Sequence, residues 1–500
     1  MNTEDKGEKK HSGNLRNTIF KKIKEGLDRL EKEYSNFRFR QLHNRKKDER
    51  LKKTLSPEKY KAYHRQERKR QEKAVLCFAA FILIGIILLF AVIKVLIFGG
   101  RSLAAAIQSV FVQEVQVESE TETEKVYTEQ DITVGSTGCM LLHSPFIDSY
   151  PDENGEYDFS SIYTYIAPYY SAPDYMTCEF EGALGGEEMG YSGYPMFHSP
   201  DAIIENIRDS GVDLQFLANN HVYDAFSTGF HRTMQTYEKL GIAYSGIRKS
   251  EQEKQYTIAD VRGVKLGFLN YVYETPGIGT NINGIPLDEG DQNLINSFDY
   301  DDLEPFYMEV KQNIASMKSE GAEFIIVQMH WGIEYQLTEA DYQDEMAQKL
   351  CDLGVDAIIG GHPHCEQPIT VLETADRTHS AFCVFSEGNA LSNQRTYLMD
   401  EMPTGHTEDG VMVTLHLHRD TSGRVSITDV ELLPTWVYRY QDEDGSKYFI
   451  LPLDDVDHLE ALTGIKDLGD EPAQSFKRTM ETMGDGLRQA KEFYKNQSLQ

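Results

Sequence analysis

Residues 324–364 read FIIVQMHWGIEYQLTEADYQDEMAQKLCDLGVDAIIGGHPH. The apolar run Phe324–Met329 predicts a strand, the mixed stretch Ala340–Leu353 a helix, and Val355–Ile359 a second strand. A strand–helix–strand order of this kind implies a sheet covered by helices on its faces. Each strand ends on residues able to do chemistry. His330 and Glu334 follow the first in HWGIE, and His362 and His364 follow the second in GGHPH.

Working outward, the same alternation extends in both directions. On the N-terminal side strands are expected over Ile132–Ser136, Val212–Ala218 and Val264–Asn270. A helix opened by Ser199 and Pro200 should carry Ile203, Ile204 and Ile207 as its apolar face. A second helix, Thr228–Leu240, should stop at Gly241, and a third should span Leu303–Lys318. On the C-terminal side Ala381–Phe385 reads as a strand, Val411–His416 and Val425–Leu432 as an antiparallel pair, and the tail after Pro472 as one amphipathic helix. The domain so defined runs over residues 131–435, with 436–500 as a C-terminal extension. No internal repeat is visible.

Upstream of this domain the chain changes character. Val75–Phe98 reads VLCFAAFILIGIILLFAVIKVLIF, with Lys94 as its one charge. About 20 apolar residues span a bilayer as a helix, so residues 74–98 are expected to cross a membrane once. A buried core helix is the competing reading, but few such helices are apolar all round for this length. A cleaved signal peptide is the other, with small residues at Ala104–Ala106, but its apolar stretch is shorter and 74 residues do not normally precede it. Residues 1–73 hold 24 Lys and Arg against 12 Asp and Glu, whereas residues 99–500 hold 25 against 68. Basic flanks stay in the cytoplasm, so the expected topology is a cytoplasmic arm, one span and an extracellular acidic domain. The arm reads either as a solvated topogenic segment or as an amphipathic helix on anionic lipid, through Ile19, Ile23, Leu27 and Leu30. Residues 99–130, with VESETETEK, read as an acidic stalk.

This charge distribution excludes nucleic acid as a partner, since phosphates would be repelled. A polyanionic substrate would need a local cation. Of the six cysteines, Cys77 lies in the apolar span and five lie beyond it, an odd number without disulfide spacing.

In open α/β sheets, sites form beyond the carboxyl ends of the strands. Here Cys139 and His143 follow the first strand in STGCMLLHSP. Glu179 and Glu181 stand in CEFEGAL, and Asn219, Asn220, His221 and Asp224 in LANNHVYD. Ser386 and Asn389 follow in SEGN. A lone histidine after a strand is usually a satisfied polar residue, but the joint pattern points to metal-assisted hydrolysis. Histidine, carboxylate and carboxamide ligands suit Zn, Mn or Fe. The expected ligands are Cys139, His143, Glu181, Asn220, His330, His362 and His364, holding one divalent ion, two or none. His221, oriented by Asp224, would protonate a leaving group, with Glu334 beside it in the catalytic set. Glu179, Asn219, Ser386 and Asn389 are the expected substrate contacts.

These blocks, in this order, resemble the poly-γ-glutamate capsule-synthesis family (the CapA or PgsA proteins) over roughly residues 131–435. LANNH-x-x-D and GGHPH-x-x-QPI are the most specific parts. The resemblance implies a calcineurin-like metallophosphoesterase fold, an α/β sandwich of mixed sheets flanked by helices, behind a membrane anchor. It also implies a role in capsule or envelope-polymer biosynthesis, with an anionic polymer such as poly-γ-glutamate as partner and capsule-synthase subunits beside it.

The chain departs from the family in two blocks. The family's metal-binding Asp in TGD is Cys139 here, and the Asn of its NLE block is Glu179. Two readings follow. In one the site is retuned, with a Cys139 thiolate favouring a softer metal such as Zn. In the other it has decayed and the domain acts by binding alone. Cys139 and Cys178 are expected to pack as thiols rather than as a disulfide.

Overall fold

The computed structural model describes residues 127–443 and 445–497. The basic arm 1–73, the apolar span 74–98 and the acidic segment up to residue 126 lie outside the described residues. Among the described residues, no helix is long and apolar enough to cross a membrane.

The chain builds one sheet, then a second, then returns to the first. Strands β1 (Gln130–Met140), β2 (Tyr175–Phe180), β3 (Leu214–Phe216) and β4 (Ala243–Ser245) pair in parallel. The chain then crosses to β5 (Thr257–Val261) and β6 (Val264–Tyr273). The short β7 (Asn281–Ile282), β8 (Ile285–Pro286) and β9 (Ser297–Phe298) follow. Sheet two grows from β6 through β10 (Phe324–His330), β11 (Ala357–Gly361), β12 (Glu366–Glu373) and β13 (Ser380–Glu387), in the order β12-β13-β11-β10-β6-β5. β14 (Asn389–Leu391) then returns to pair with β1. Sheet one is completed by β15 (Asp409–Arg419), β16 (Val425–Asp442) and β17 (Gly445–Pro452), in the order β17-β16-β15-β1-β2-β3-β4. Both sheets are mixed, as expected of this α/β sandwich.

Alternation along the strands explains the layering, because successive side chains point to opposite faces. On β10, Phe324 and Ile326 join an inter-sheet core with Phe268, Ile359 and Val384 of sheet two and Val134, Phe216 and Val413 of sheet one. The intervening Ile325, Val327 and Met329 face outward onto helices Glu304–Ser319 and Asp341–Asp352. Strand β2 does the same. Met176, Cys178 and Phe180 pack against helices Ala202–Asp209 and Phe226–Leu240, while Tyr175 packs on the inter-sheet core. The result is four layers, with helices outside two stacked sheets.

Most element boundaries fall close to expectation. The helix expected to be capped by Ser199 instead begins at Ala202, after Asp201, whose carboxylate is taken by Arg232 at 2.7 and 2.8 Å. Gly241 ends Phe226–Leu240 in the left-handed conformation, φ 64°, as its position predicted. The tail forms the single helix Glu471–Gln497. Strand β16 runs unbroken through residue 435, so sheet one extends into the expected C-terminal extension.

That last helix closes the open end of the sandwich, with Met483, Ala490 and Tyr494 entering the inter-sheet core. Its approach to β12 is very close. A β-carbon at Gly486 would lie 2.0 Å from the Ile369 carbonyl oxygen, whereas one at Gly484 would meet only the flexible end of Met480 at 3.1 Å. Glycine costs a helix about 1 kcal/mol relative to alanine, so propensity alone favours both substitutions. We expect Gly484→Ala to be neutral or to stabilise by up to about 1 kcal/mol, and Gly486→Ala to destabilise despite the same propensity gain. Denaturant unfolding of the two variants checks this, and a stabilised Gly486→Ala would contradict the close packing.

Candidate metal centre

The inter-sheet face of each strand grades from apolar to polar toward its carboxyl end. On β10 the sequence Phe324, Ile326, Gln328, His330 lies along one face, and on β2 Tyr175 and Thr177 lead to Glu179. Both strands therefore deliver polar side chains to one edge, beyond the apolar core.

Glu181, just past β2, occupies the centre of this edge. It is fully buried, and neither carboxylate oxygen has a hydrogen-bond partner. His364 Nε2 lies 3.8 Å away and His221 Nε2 4.0 Å. Cys139, Glu181 and His330 place ligand atoms within 4.8 Å of one another. An ionised carboxylate buried without hydrogen bonds is strongly unfavourable, and burial, then the nearby Glu179 charge, pushes Glu181 well above the ordinary carboxylate range.

The hydrogen bonds of the histidines determine what faces Glu181. His221 Nδ1 is 2.7 Å from Asp224 Oδ2, which also accepts the Phe197 amide. His364 Nδ1 is 3.1 Å from Asn389 Oδ1. The Asn389 amide nitrogen is committed to the His364 and Thr407 carbonyls, so its oxygen must face the ring and accept from Nδ1. Both histidines therefore hold their proton on Nδ1 and turn a bare Nε2 toward Glu181. His330 Nδ1 lies 2.6 Å from Glu179 Oε1, and its Nε2 lies 3.0 Å from Asn220 Oδ1. Burial holds His330, His362 and His364 well below the usual histidine range, His364 at about 3, so these rings are neutral at pH 7. A neutral ring donates once. The two nitrogens of His330 meet Glu179 and Asn220, and the ring donates to one of them.

A carboxylate, a carboxamide and imidazole nitrogens thus converge where both Glu181 oxygens have no hydrogen-bond partner. The buried Nδ1 of His362 is also without a partner. This donor set fits a divalent cation, for which Glu181, Asn220, His330, His362 and His364 are the available ligands. The backbone is strained where it presents the last two, with φ of 96° at His362 and 57° at His364. Such conformations cost on the order of 1–3 kcal/mol each and cluster at functional sites.

Other expected site residues take different roles. Glu179, expected as a substrate contact, lies beside His330. It is fully buried between the sheets, accepting from Cys139 Sγ at 3.1 Å and Gln328 Nε2 at 3.4 Å, and it orients His330. Burial raises it to about 8, against the lowering effect of those two donors. Asn219 and Ser386 are likewise buried and bonded to backbone, Asn219 holding the LANNH turn through the Phe180 carbonyl and the His221 amide. Asn389 sets the His364 tautomer. Cys139 stands as a thiol rather than a thiolate, since burial and the Glu179 and Glu181 charges push it well up. His143 accepts the Asn393 amide at Nδ1, 3.2 Å away, and burial, then the nearby His364 and His221, lowers it to about 3. Glu334 is exposed, within electrostatic reach of His221. The five described cysteines are free; Cys178 faces the outer helices.

Several residues escaped the sequence reading. Gln328 faces Glu179 one alternation before His330. Asn270 pins the LANNH segment, its side chain accepting the Ala218 amide at 2.6 Å. Tyr273 lies 3.3 Å from His362 Nε2 and Phe197 packs edge-on to His221. β6 was expected to stop at Asn270, which hid Tyr273 from the rule that site residues follow strand ends. Gly361 is needed for closeness, since a β-carbon there would sit 2.1 Å from Glu179 Oε2. A second buried group, Glu366, His406 and Asp409, lies beside the C-terminal helix. There Arg478 and Ser475 already occupy Asp409, and Thr479 donates to Glu366.

Fold and site together define a two-sheet α/β protein with a histidine-rich candidate metal centre. The family model described as bacterial capsule synthesis protein PGA_cap matches residues 133–394, more than half of the chain, and the chain belongs to that family. It is similar to the PGA biosynthesis protein CapA of Bacillus subtilis (strain 168), 23% identical over 318 residues, covering 63% of this chain and 75% of the relative. It is also similar to the capsule biosynthesis protein CapA of Bacillus anthracis, 21% identical over 283 residues, covering 55% of this chain and 62% of the relative. Among solved structures, the calcineurin-like phosphoesterase YfkN of Bacillus subtilis aligns over 73% of this chain and 99% of its own with a TM-score of 0.36 and 15% identity. That overlap is loose, and nothing about the site is carried over from it.

The Glu181 environment has a pH signature. Its folded-state value lies above the ordinary 4.5, so its stabilising contribution is fully present below pH 4.5 and is lost as pH rises through the folded value. The buried histidines His143, His330, His362 and His364, lowered by burial, act oppositely below their ordinary value of 6.5, so the carboxylate share is read as the difference between wild type and Glu181→Gln. In cation-free protein, the melting temperature of wild type relative to Glu181→Gln is expected to fall from pH 5 to pH 8. Glu179 acts in the same direction as Glu181. Thermal melts in chelator across this range test it, and an unchanged slope in Glu181→Gln would refute the assignment.

Proposed function

We propose that this chain is a membrane-anchored, extracytoplasmic protein of capsule or envelope-polymer biosynthesis that acts as a metal-dependent hydrolase. The observation that carries this reading is Glu181, a buried carboxylate with no hydrogen bond, facing the bare nitrogens of His221 and His364. Glu181, Asn220, His330, His362 and His364 would hold a divalent cation such as Zn, Mn or Fe. When bound, it supplies Lewis acidity toward a phosphoryl or carbonyl group. His221, held by Asp224, presents Nε2 to the reacting centre, where it accepts a proton or returns one to a leaving-group oxygen. Asp224 stabilises the imidazolium formed in that exchange. Phe197, Tyr273 and Tyr335 pack around His221, His362 and His364 and limit access of water. The substrate in this reading is an anionic envelope polymer such as poly-γ-glutamate, supported by the capsule-biosynthesis descriptions of the relatives.

Purified full-length protein in detergent is expected to carry close to one equivalent of divalent metal or more. His362→Ala should lose most of it, together with any hydrolysis of bis-p-nitrophenyl phosphate or γ-linked glutamate oligomers. A metal-free wild type, indifferent to His362→Ala, would sink the enzymatic reading.

One observation favours a second reading, in which the domain is a polymer-holding subunit of a synthase complex. Cys139 stands where the family usually has a metal-binding Asp, and its thiol is spent on Glu179. Polymer binding and synthase association that both survive removal of the histidines would favour this alternative.

The membrane assignment rests on the apolar stretch 75–98 and the basic residues before it. In spheroplasts, external protease should digest the domain and spare an epitope tag at the N-terminus. Digestion of that tag would reverse the topology.

A further inference from the structure

We propose that Tyr273 is a positioning residue that makes His362 engage the cation through Nδ1, the opposite nitrogen from its neighbours. This inference rests on the cation-binding reading above. His221 and His364 each give their Nδ1 proton to a side-chain acceptor, Asp224 and Asn389, which leaves Nε2 to face Glu181. His330 likewise meets its outer partner, Glu179, through Nδ1. His362 is arranged in reverse. Its Nε2 is the nitrogen with a partner, the Tyr273 hydroxyl at 3.3 Å, and its Nδ1 is the buried atom with none.

A neutral imidazole has one donor and one acceptor nitrogen. When Nε2–H donates to the Tyr273 oxygen, Nδ1 becomes a bare lone pair, which a cation requires. In the opposite tautomer Nδ1–H is a buried donor with nothing to accept it, an arrangement proteins avoid. Tyr273 is therefore the outer partner of His362, as Glu179 is of His330 and Asn389 of His364. Second partners of this kind fix the ring and its tautomer at metal centres.

The setting of Tyr273 supports the assignment. It is the last residue of β6, next to β10 in sheet two, and Val272 is in register with His330. Its ring lies nearly parallel to that of His330, 6.3 Å away with 8° between planes, and 4.9 Å from that of His362. Asn220 is a hydrogen-bonding neighbour of the same hydroxyl. One phenol thus stands among three candidate ligands, two from sheet two and one from the LANNH turn beyond sheet one. His362 itself has a φ of 96°, outside the extended conformation of the strand before it.

Mn2+ titration of the full-length protein in detergent, followed by electron paramagnetic resonance, tests this, with Tyr273→Phe as the variant because it keeps the ring and removes only the hydroxyl. The expected result is a loss of Mn2+ affinity of about 10–100-fold, the usual effect of removing an outer partner. The cation-free melting temperature should remain close to wild type. Wild-type affinity in Tyr273→Phe overturns the inference while leaving the cation reading in place. No Mn2+ binding by the wild type overturns both. A crystal structure of the wild type soaked in Mn2+ needs no variant. Coordination by His362 Nδ1 supports the inference, and coordination by Nε2 overturns it.

Discussion

The constraint on which the site depends is the burial of Glu181. A carboxylate fully shielded from water, with both oxygens unbonded, is among the least favourable arrangements a folded chain can hold. It is kept here by surroundings built for other reasons. Apolar packing of two sheets and two helical layers supplies the stability, and the same packing fixes three imidazoles so that they cannot rotate to relieve the carboxylate. Each ring is held from behind by Asp224, Glu179 or Asn389, so the groups converge around Glu181. Buried polar groups without partners mark function more often than stability, and the positive φ of His362 and His364 is a second local cost at the same place.

The departures in the first two blocks are physically linked. Cys139 and Glu179 are in register on neighbouring strands and hydrogen-bonded to each other. A carboxylate at position 139 would place a second charge against Glu179 inside the core, where like charges cannot both stay ionised at low cost. A thiol avoids that clash and donates to Glu179 Oε2, while Oε1 meets His330. The substitution of Asp by Cys and of Asn by Glu therefore reads as one coupled change. It joins β1 and β2 through one hydrogen bond and sets Glu179 against His330 of β10.

How much was legible in the sequence follows from what period-2 alternation conveys. Phe324–Met329 and Val355–Ile359 announced themselves as strands, and the rule that sites form past strand ends pointed to His330, His362, His364, Asn220 and Glu181 with no knowledge of contacts. The same rule was blind to direction. It could not tell that Glu179, one residue before the end of β2, points inward to hold His330, because the two lie 151 positions apart in the chain. It also missed Tyr273, since β6 runs three residues further than its apolar run suggested, stabilised by pairing with β10.

What the sequence determined by itself was therefore the inventory: two-faced strands, the residue types at their ends, the family blocks, and an apolar stretch flanked by opposite charge. All of these are local, encoded in spacing and composition. Only the tertiary structure decided which groups converge on Glu181, which nitrogen of each histidine meets which partner, and that Glu179, Asn219 and Ser386 are buried and bonded within the protein. Those properties depend on hydrogen bonds between strands of different sheets. A hydrogen bond is set to a few tenths of an ångström by packing, and sequence spacing does not carry that distance.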